Sequence, residues 1–164
     1  MDSAPPQTQT NGGPRSADEL PPEAIAFASK MFDAARKGDE LSVALLTQAL
    51  QRGLPANLTN DKGDSLIMLA SYHGHTNLVR LLLRHNADPN RLNDRGQSPL
   101  AGVVFKNERE CIEALLAGGA DPEMGEPSAL DACRIFKQEE FEGMFKEHIE
   151  KLRGTGARAV DGGL

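Results

Sequence analysis

The sequence predicts an all-α solenoid, a stack of short helix–loop–helix units, and three observations carry that expectation. Apolar residues recur at three- and four-residue spacing from Pro22 to about Arg153, as helix faces require. Clusters of Gly, Asn-Asp and Asp-Pro interrupt this pattern at short intervals, and no convincing strand alternation lies between them. The interruptions themselves repeat. Gly63 and Gly96 are 33 apart, and the same offset joins Ser65 to Ser98, Ala70 to Val103, Leu82 to Leu115, Ala87 to Ala120, Asp88 to Asp121 and Pro89 to Pro122. A matched offset at so many positions marks an internal repeat.

Residues 1–21 are rich in Pro, Gly, Ser, Thr, Gln and Asn and hold almost nothing that can be buried. Ordering them would cost more conformational entropy than contacts return, so a disordered tail is expected. At Pro22 the chain turns amphipathic: PEAIAFASKMFDAARKGD places Ile25, Ala28, Phe32 and Ala35 on one helical face. In the two best-matched units a Ser (Ser65, Ser98) precedes a short apolar helix as an N-cap, and Pro99 takes the first helical position, where its missing N–H costs little. Gly74 ends the first helix of one unit. A second helix follows, with Leu78, Val79, Leu82 and Leu83 in that unit and Cys111, Ile112, Leu115 and Leu116 in the next. Asn or Gly then supplies a position tolerant of positive φ, and Asp-Pro starts an extended connection onward.

Two less regular units flank these. Ser29 to Gly38 repeats the nine-residue interval of Ser65 to Gly74, and GLPANLTND corresponds to NADPNRLND, with a second helix about three residues longer. Downstream, SALDACRIFKQEEFEGMF repeats from Ser128, 30 rather than 33 after Ser98, and the last helix sets Phe141, Met144, Phe145 and Leu152 on one face. One apolar and one charged side suit a terminal cap. The expected organisation is four units, near 22–60, 61–93, 94–124 and 125–153, with a flexible glycine-rich tail over 154–164.

Composition limits the function classes. Of 164 residues 39% are hydrophobic and only 4% aromatic, the profile of aliphatic packing, and 18 Lys plus Arg stand against 24 Asp plus Glu. A net charge of −6 disfavours general attraction to nucleic acid or anionic membrane. Cys111 and Cys133 are too few for a disulfide framework and sit in helical apolar segments, so reduced buried thiols are expected. Residues 1–20 contain no apolar core of a secretory signal, and an intracellular address, cytoplasmic or nuclear, follows as an expectation.

The stretches KGDSLIMLASYHGHTNLVRLLLRHNADPN and RGQSPLAGVVFKNERECIEALLAGGADP resemble the ankyrin repeat, in which a turn glycine, T-P-L-H-x-A, G-H, paired leucines and G-A-D-x-N follow in order. The resemblance covers about Pro22 to Arg153. It implies helix pairs joined by projecting β-turns, and a partner protein bound on the concave face without cofactor, metal or catalysis. The tetrapeptide histidine is missing from both Ser65-Leu66-Ile67-Met68 and Ser98-Pro99-Leu100-Ala101. Since that histidine ties neighbouring units, the resemblance implies less rigid junctions here.

On that phasing the exposed ends of the first helices carry Arg36 and Lys37, Tyr72 and His73, Phe105 and Lys106, and Ile135 and Phe136. The turn tips carry Asp61, Lys62, Asp64, Asp94, Arg95 and Gln97. Tyr72, Phe105 and Phe136 fall at nearly one-repeat intervals, so stacking should align them. Either the rings form a binding stripe beside cations that steer an acidic partner, or they fold back and extend the core. The expected assembly is a monomer that binds a protein, with no direct nucleic acid or membrane contact.

His73 and His75 flank Gly74 and with a cysteine could serve a metal-dependent or thiol hydrolase. Across a helix-ending glycine, however, their side chains should diverge, and a zinc site needs further ligands. The resemblance instead gives His75 the start of the second helix, His73 the exposed end of the first, and His85 the outer end of the second. Cys133 and His148 lack a glycine-rich elbow, no stretch has phosphate-loop spacing, and Glu139 with Glu140 reads as a solvated face.

Overall fold

The computed structural model describes residues 21–161, with side chains through 154. Its helices are α1 Pro22–Lys37, α2 Glu40–Gln51, α3 Leu66–Tyr72, α4 Thr76–Arg84, α5 Pro99–Lys106, α6 Arg109–Ala117, α7 Ala129–Ile135 and α8 Glu139–Asp161. They form four antiparallel pairs. The first helices pack in series, α1 on α3, α3 on α5 and α5 on α7, and each is backed by the second helix of its own unit. No strand is assigned among the described residues, and two isolated bridges, Thr59 with Ser65 and Gly125 with Ser128, pinch the turns.

Local sequence sets these boundaries. The hydroxyls of Ser65, Ser98 and Ser128 accept bonds from the backbone N–H groups of Met68, Ala101 and Asp131, at 3.3, 3.2 and 3.2 Å. Each satisfies a donor that the helix start leaves unpaired. Asp39 does the same for α2 through the Ser42 N–H at 2.8 Å, and hydrogen bonding from the Ser42 side chain and N–H holds its carboxyl below the ordinary aspartate range. In the first unit α1 begins at Pro22, where the amphipathic pattern starts, and Ser29 lies inside it rather than at a helix start. The three extra residues expected in the second helix are present, since α2 has 12 residues against 9 in α4 and α6.

Each helix pair turns through a left-handed residue. Gly38, Gly74, Asn107 and Lys137 have φ of 60°, 75°, 59° and 56°. Glycine is required at the first two for a second reason: a Cβ on Gly38 would fall inside the His75 imidazole, and one on Gly74 would come within 2.9 Å of the Glu108 carboxylate. The residue that opens one unit's second helix therefore lies over the corner of the unit before it.

Between the layers one core runs the length of the stack. Met31, Leu46, Leu66, Ile67, Leu78, Leu82, Leu100, Ile112, Leu115 and Phe145 are fully buried, and burial of each such side chain contributes about 1.5–3 kcal/mol. Ile25 does not join Ala28, Phe32 and Ala35 in it but stays at the surface. The cap face is also revised. Phe141, Phe145 and Ile149 are buried and Met144 packs against the core, while Leu152 is 59% exposed. Seven-residue α7 is too short to cover the outer half of a helix that runs on to Asp161.

That run corrects the glycine-rich tail expected from 154, whose backbone is helical through 161. Gly154 and Gly156 weaken a helix by about 1 kcal/mol each, but no proline ends it, and Ala157, Arg158 and Ala159 favour its continuation. The N-terminal tail lies outside the described residues except for Pro21, which caps α1. No helix among the described residues is long and apolar enough to cross a membrane.

The junctions have ties in place of the absent tetrapeptide histidine. Asn57 Oδ1 accepts from the Asp88 N–H at 2.6 Å, and one repeat later Asn90 Oδ1 accepts from the Asp121 N–H at 2.7 Å. His75 Nε2 bonds the Arg36 carbonyl at 2.7 Å, which requires the proton on that nitrogen. Thr76 Oγ1 lies 3.2 Å from Cys111 Sγ, joining the second and third units. The less rigid junctions implied by the missing histidine are thus bridged by other side chains.

Candidate concave binding surface

The β-turns are built alike. Asn60 Oδ1 accepts from the N–H groups of Lys62 and Asp64, at 3.0 and 2.9 Å, and Asn93 Oδ1 accepts from those of Arg95 and Gln97, both at 3.0 Å. A bond from the Asp94 N–H to the Lys62 carbonyl at 3.1 Å and one from Asn93 Nδ2 to Asp64 Oδ1 at 2.9 Å lock the first turn to the second. The tips are therefore held in register from one unit to the next.

A groove of about 450 Å3 runs between these tips and the exposed ends of the first helices. Of the residues expected at the surface, Arg36, Lys62, Asp64, Tyr72, His73, Arg95 and Gln97 line it. Met68, Leu69, Asn93, Ser98, Pro99 and Gly102 line it too, and the sequence phasing did not single these out. Lys37, Asp61, Asp94, Phe105, Lys106, Ile135 and Phe136 lie outside its walls.

The helix-end residues pair across units rather than standing alone. Lys106 Nζ sits 4.7 Å from the centre of the Tyr72 ring, a cation–π contact. Phe105 and Phe136 meet edge to face at 5.0 Å. Even so, Tyr72, Phe105, Ile135 and Phe136 keep 38%, 54%, 60% and 43% of their surface exposed. The rings lie on neighbouring units without entering the core.

Electrostatics distinguish this face. Arg36, Lys62 and Arg95 oppose a single lining carboxylate, Asp64, on a chain whose net charge is −6. Arg36 also pairs with Asp33 at 2.9 Å on the open surface, where such a pair is worth little. Lys62 and Arg95 have no carboxylate within ion-pair distance among the described residues. Partial burial, then the charges of His75, Lys106 and Arg36, hold His73 below the ordinary histidine value of 6.5.

His73 and His75 do not diverge as expected. Their rings lie nearly parallel, 18° between planes and 6.2 Å between centres, because the loop returns over Gly74. His75 Nε2 is nevertheless held by the Arg36 carbonyl. Both cysteines are buried, and burial pushes the Cys111 thiol up and the Cys133 thiol up to about 11, so neither supplies a thiolate at neutral pH. His85 closes α4 at its C-terminus. His75 occupies the N-cap of α4 with its carbonyl accepting from Val79, but its side chain makes no cap bond and reaches back to α1 instead.

Helix pairs stacked in series, turn tips in register and an open groove along them define a repeat-protein binding scaffold. Comparison with known proteins specifies it further: the family model for ankyrin repeats matches residues 31–125 in three copies, and the chain belongs to the ankyrin-repeat family. Repeats of this family are protein–protein interaction modules and typically non-enzymatic scaffolds. The chain is 56% identical over 63 residues to a Pseudomonas aeruginosa protein named for its ankyrin repeats, 38% of this chain and 35% of that one. It is 33% identical over 100 residues to a Treponema pallidum protein named likewise, 60% of this chain and 33% of the relative. It is also 36% identical over 100 residues to mouse cyclin-dependent kinase 4 inhibitor B, 58% of this chain and 70% of the inhibitor. The chain thus spans about a third of the length of the two bacterial relatives.

Proposed function

We propose that the chain binds a partner protein through its concave face, without catalysis, as an adaptor, inhibitor or client-binding scaffold. The observation that supports this most is the row of large exposed side chains, Tyr72, Phe105, Ile135 and Phe136, beside an open groove whose walls are fixed by inter-unit hydrogen bonds. Rigid aromatic side chains bury much area at small entropic cost, and a preformed surface avoids the cost of ordering loops. The mouse relative's name describes a protein that acts on another protein as its inhibitor, which fits the same class of action.

Crosslinking with affinity capture would name the partner and the contacted residues together. A chain carrying Tyr72→Ala, Phe105→Ala and Phe136→Ala should keep its helical circular dichroism and lose at least tenfold in affinity for that partner, about 1.4 kcal/mol. Unchanged affinity in the folded variant would place binding elsewhere.

A further inference from the structure

The groove has one feature that the repeat pattern does not require. Leu69 in α3 and Gly102 in α5 are one repeat of 33 residues apart, so the third unit lacks the side chain that the second has at the same place. A Cβ on Gly102 would touch only Tyr72, at 3.4 Å. The missing side chain leaves a notch walled by the Tyr72 ring and continuous with the apolar surface of Met68 and Leu69. Along its rim stand Lys62 and Arg95, themselves repeat equivalents, and Arg36 at the end of α1.

We infer that the groove accepts an extended acidic segment of the partner protein, with one apolar side chain inserted over Gly102 against Tyr72 and carboxylates on Lys62 and Arg95. This rests on the concave-face reading above and specifies the chemistry of what binds there. Charge complementarity carries it. Three cations, Arg36, Lys62 and Arg95, line this groove against the single carboxylate of Asp64 on a chain whose net charge is −6, so negative charge is drawn to it. The notch adds what charge alone cannot, a preference for one bulky apolar group among the acids.

Isotope-labelled full-length chain would be titrated with a decapeptide of Glu and Asp residues around one central Leu. Two control peptides replace that Leu by Ser, or the acids by Lys. A single-stranded oligonucleotide of equal charge serves as a polyanion control. The acidic Leu peptide should shift amide resonances of residues 62–73 and 93–106, the Ser peptide should bind at least fivefold more weakly, and the Lys peptide should leave the spectrum unchanged. Gly102→Leu, which fills the notch, and the pair Lys62→Glu with Arg95→Glu should each weaken the acidic peptide at least tenfold while thermal unfolding stays cooperative. Gly102→Ala serves as a control that adds one methyl and should bind nearly as the wild type.

Absence of groove shifts at ~1 mM peptide, where even weak complexes form, would overturn the inference. So would equal binding by the Ser peptide, equal binding by the oligonucleotide, or wild-type affinity in both groove variants. The captured partner separates this from the broader reading. If its affinity falls with the triple aromatic variant but not with the charge-reversed one, the concave face stands and the acidic segment fails.

Discussion

The second and third units share their period and most of their buried positions, yet each closes on its predecessor with a different side chain. His75 lies over Gly38 and bonds the last turn of α1, whereas at the same repeat position Glu108 lies over Gly74 with no side-chain bond to it. One junction is a rigid ring locked on a backbone carbonyl, and the other is the end of a flexible carboxylate. Equivalent positions in a repeat thus hold the same backbone corner while differing in how much stability each corner concentrates.

The largest expected effect tests that difference directly. Gly38→Ala must strain a φ of 60° and expel the His75 ring from its bond, together about 3 kcal/mol. Gly74→Ala strains a similar corner but meets only the Glu108 carboxylate, which can swing away, so about 1–1.5 kcal/mol is expected. Urea denaturation of both variants measures the gap, and equal losses would mean that the ring and the carboxylate yield alike. Adding His75→Ala sharpens it: in that background Gly38→Ala should cost about 1–2 kcal/mol less than alone.

The helix starts should differ far less. Ser65→Ala and Ser98→Ala each remove a cap hydroxyl from a buried N-terminus, and each should cost about 1 kcal/mol in the same denaturation assay. Pro99 sets the first turn of α5 independently of Ser98, so a visibly smaller loss for Ser98→Ala would show that proline carries part of that start. Gly102→Ala changes sign. It replaces a mid-helix glycine where the new methyl fits, and should raise stability by about 0.5–1 kcal/mol. A destabilised Gly102→Ala would mean that the notch beside Tyr72 is too tight for even a methyl.

How far the sequence reached depends on what kind of fact was asked of it. The 33-residue offset revealed the units because backbone corners and buried leucines must recur for helices to stack, and Gly63, Leu82 and Asp88 recur at that interval. Side chains that tie units together need not recur in kind. His75 and Glu108 occupy one position with different partners, so the resemblance to the repeat family put His75 at a helix start without its bond to α1. Leu152 was set on the cap face because periodicity describes one helix, while burial depends on whether a neighbour reaches that far. Gly102 drew no notice because a glycine within an apolar helix signals nothing until Tyr72 is seen beside it. The cations at the tips were legible from phasing. That Lys62 and Arg95 line the groove while Asp61 and Asp94 stay outside it is a matter of turn geometry that only coordinates supply.

The smallest expected effect comes from the remaining pair of equivalents, His73 in the second unit and Lys106 in the third. The His73 imidazole is displaced downward from the ordinary histidine value of 6.5 by partial burial and by the charges of His75, Lys106 and Arg36. A folded-state value below 6.5 means that the unfolded chain binds this proton more readily. Stability should therefore decline slightly as pH falls through 6.5, and level off once pH is below the folded-state value. Binding runs the opposite way. An acidic segment in the groove stabilises the protonated ring, so its affinity should rise by a few fold as pH is lowered from 7.5 to 5.5, with a proton taken up on binding. His73→Lys would replace the imidazole by the residue the third unit has at this position and flatten that dependence, as read by peptide titrations at the two pH values. If the variant keeps the full pH dependence, the proton resides on another group and His73 takes no part in recognising the partner's charge.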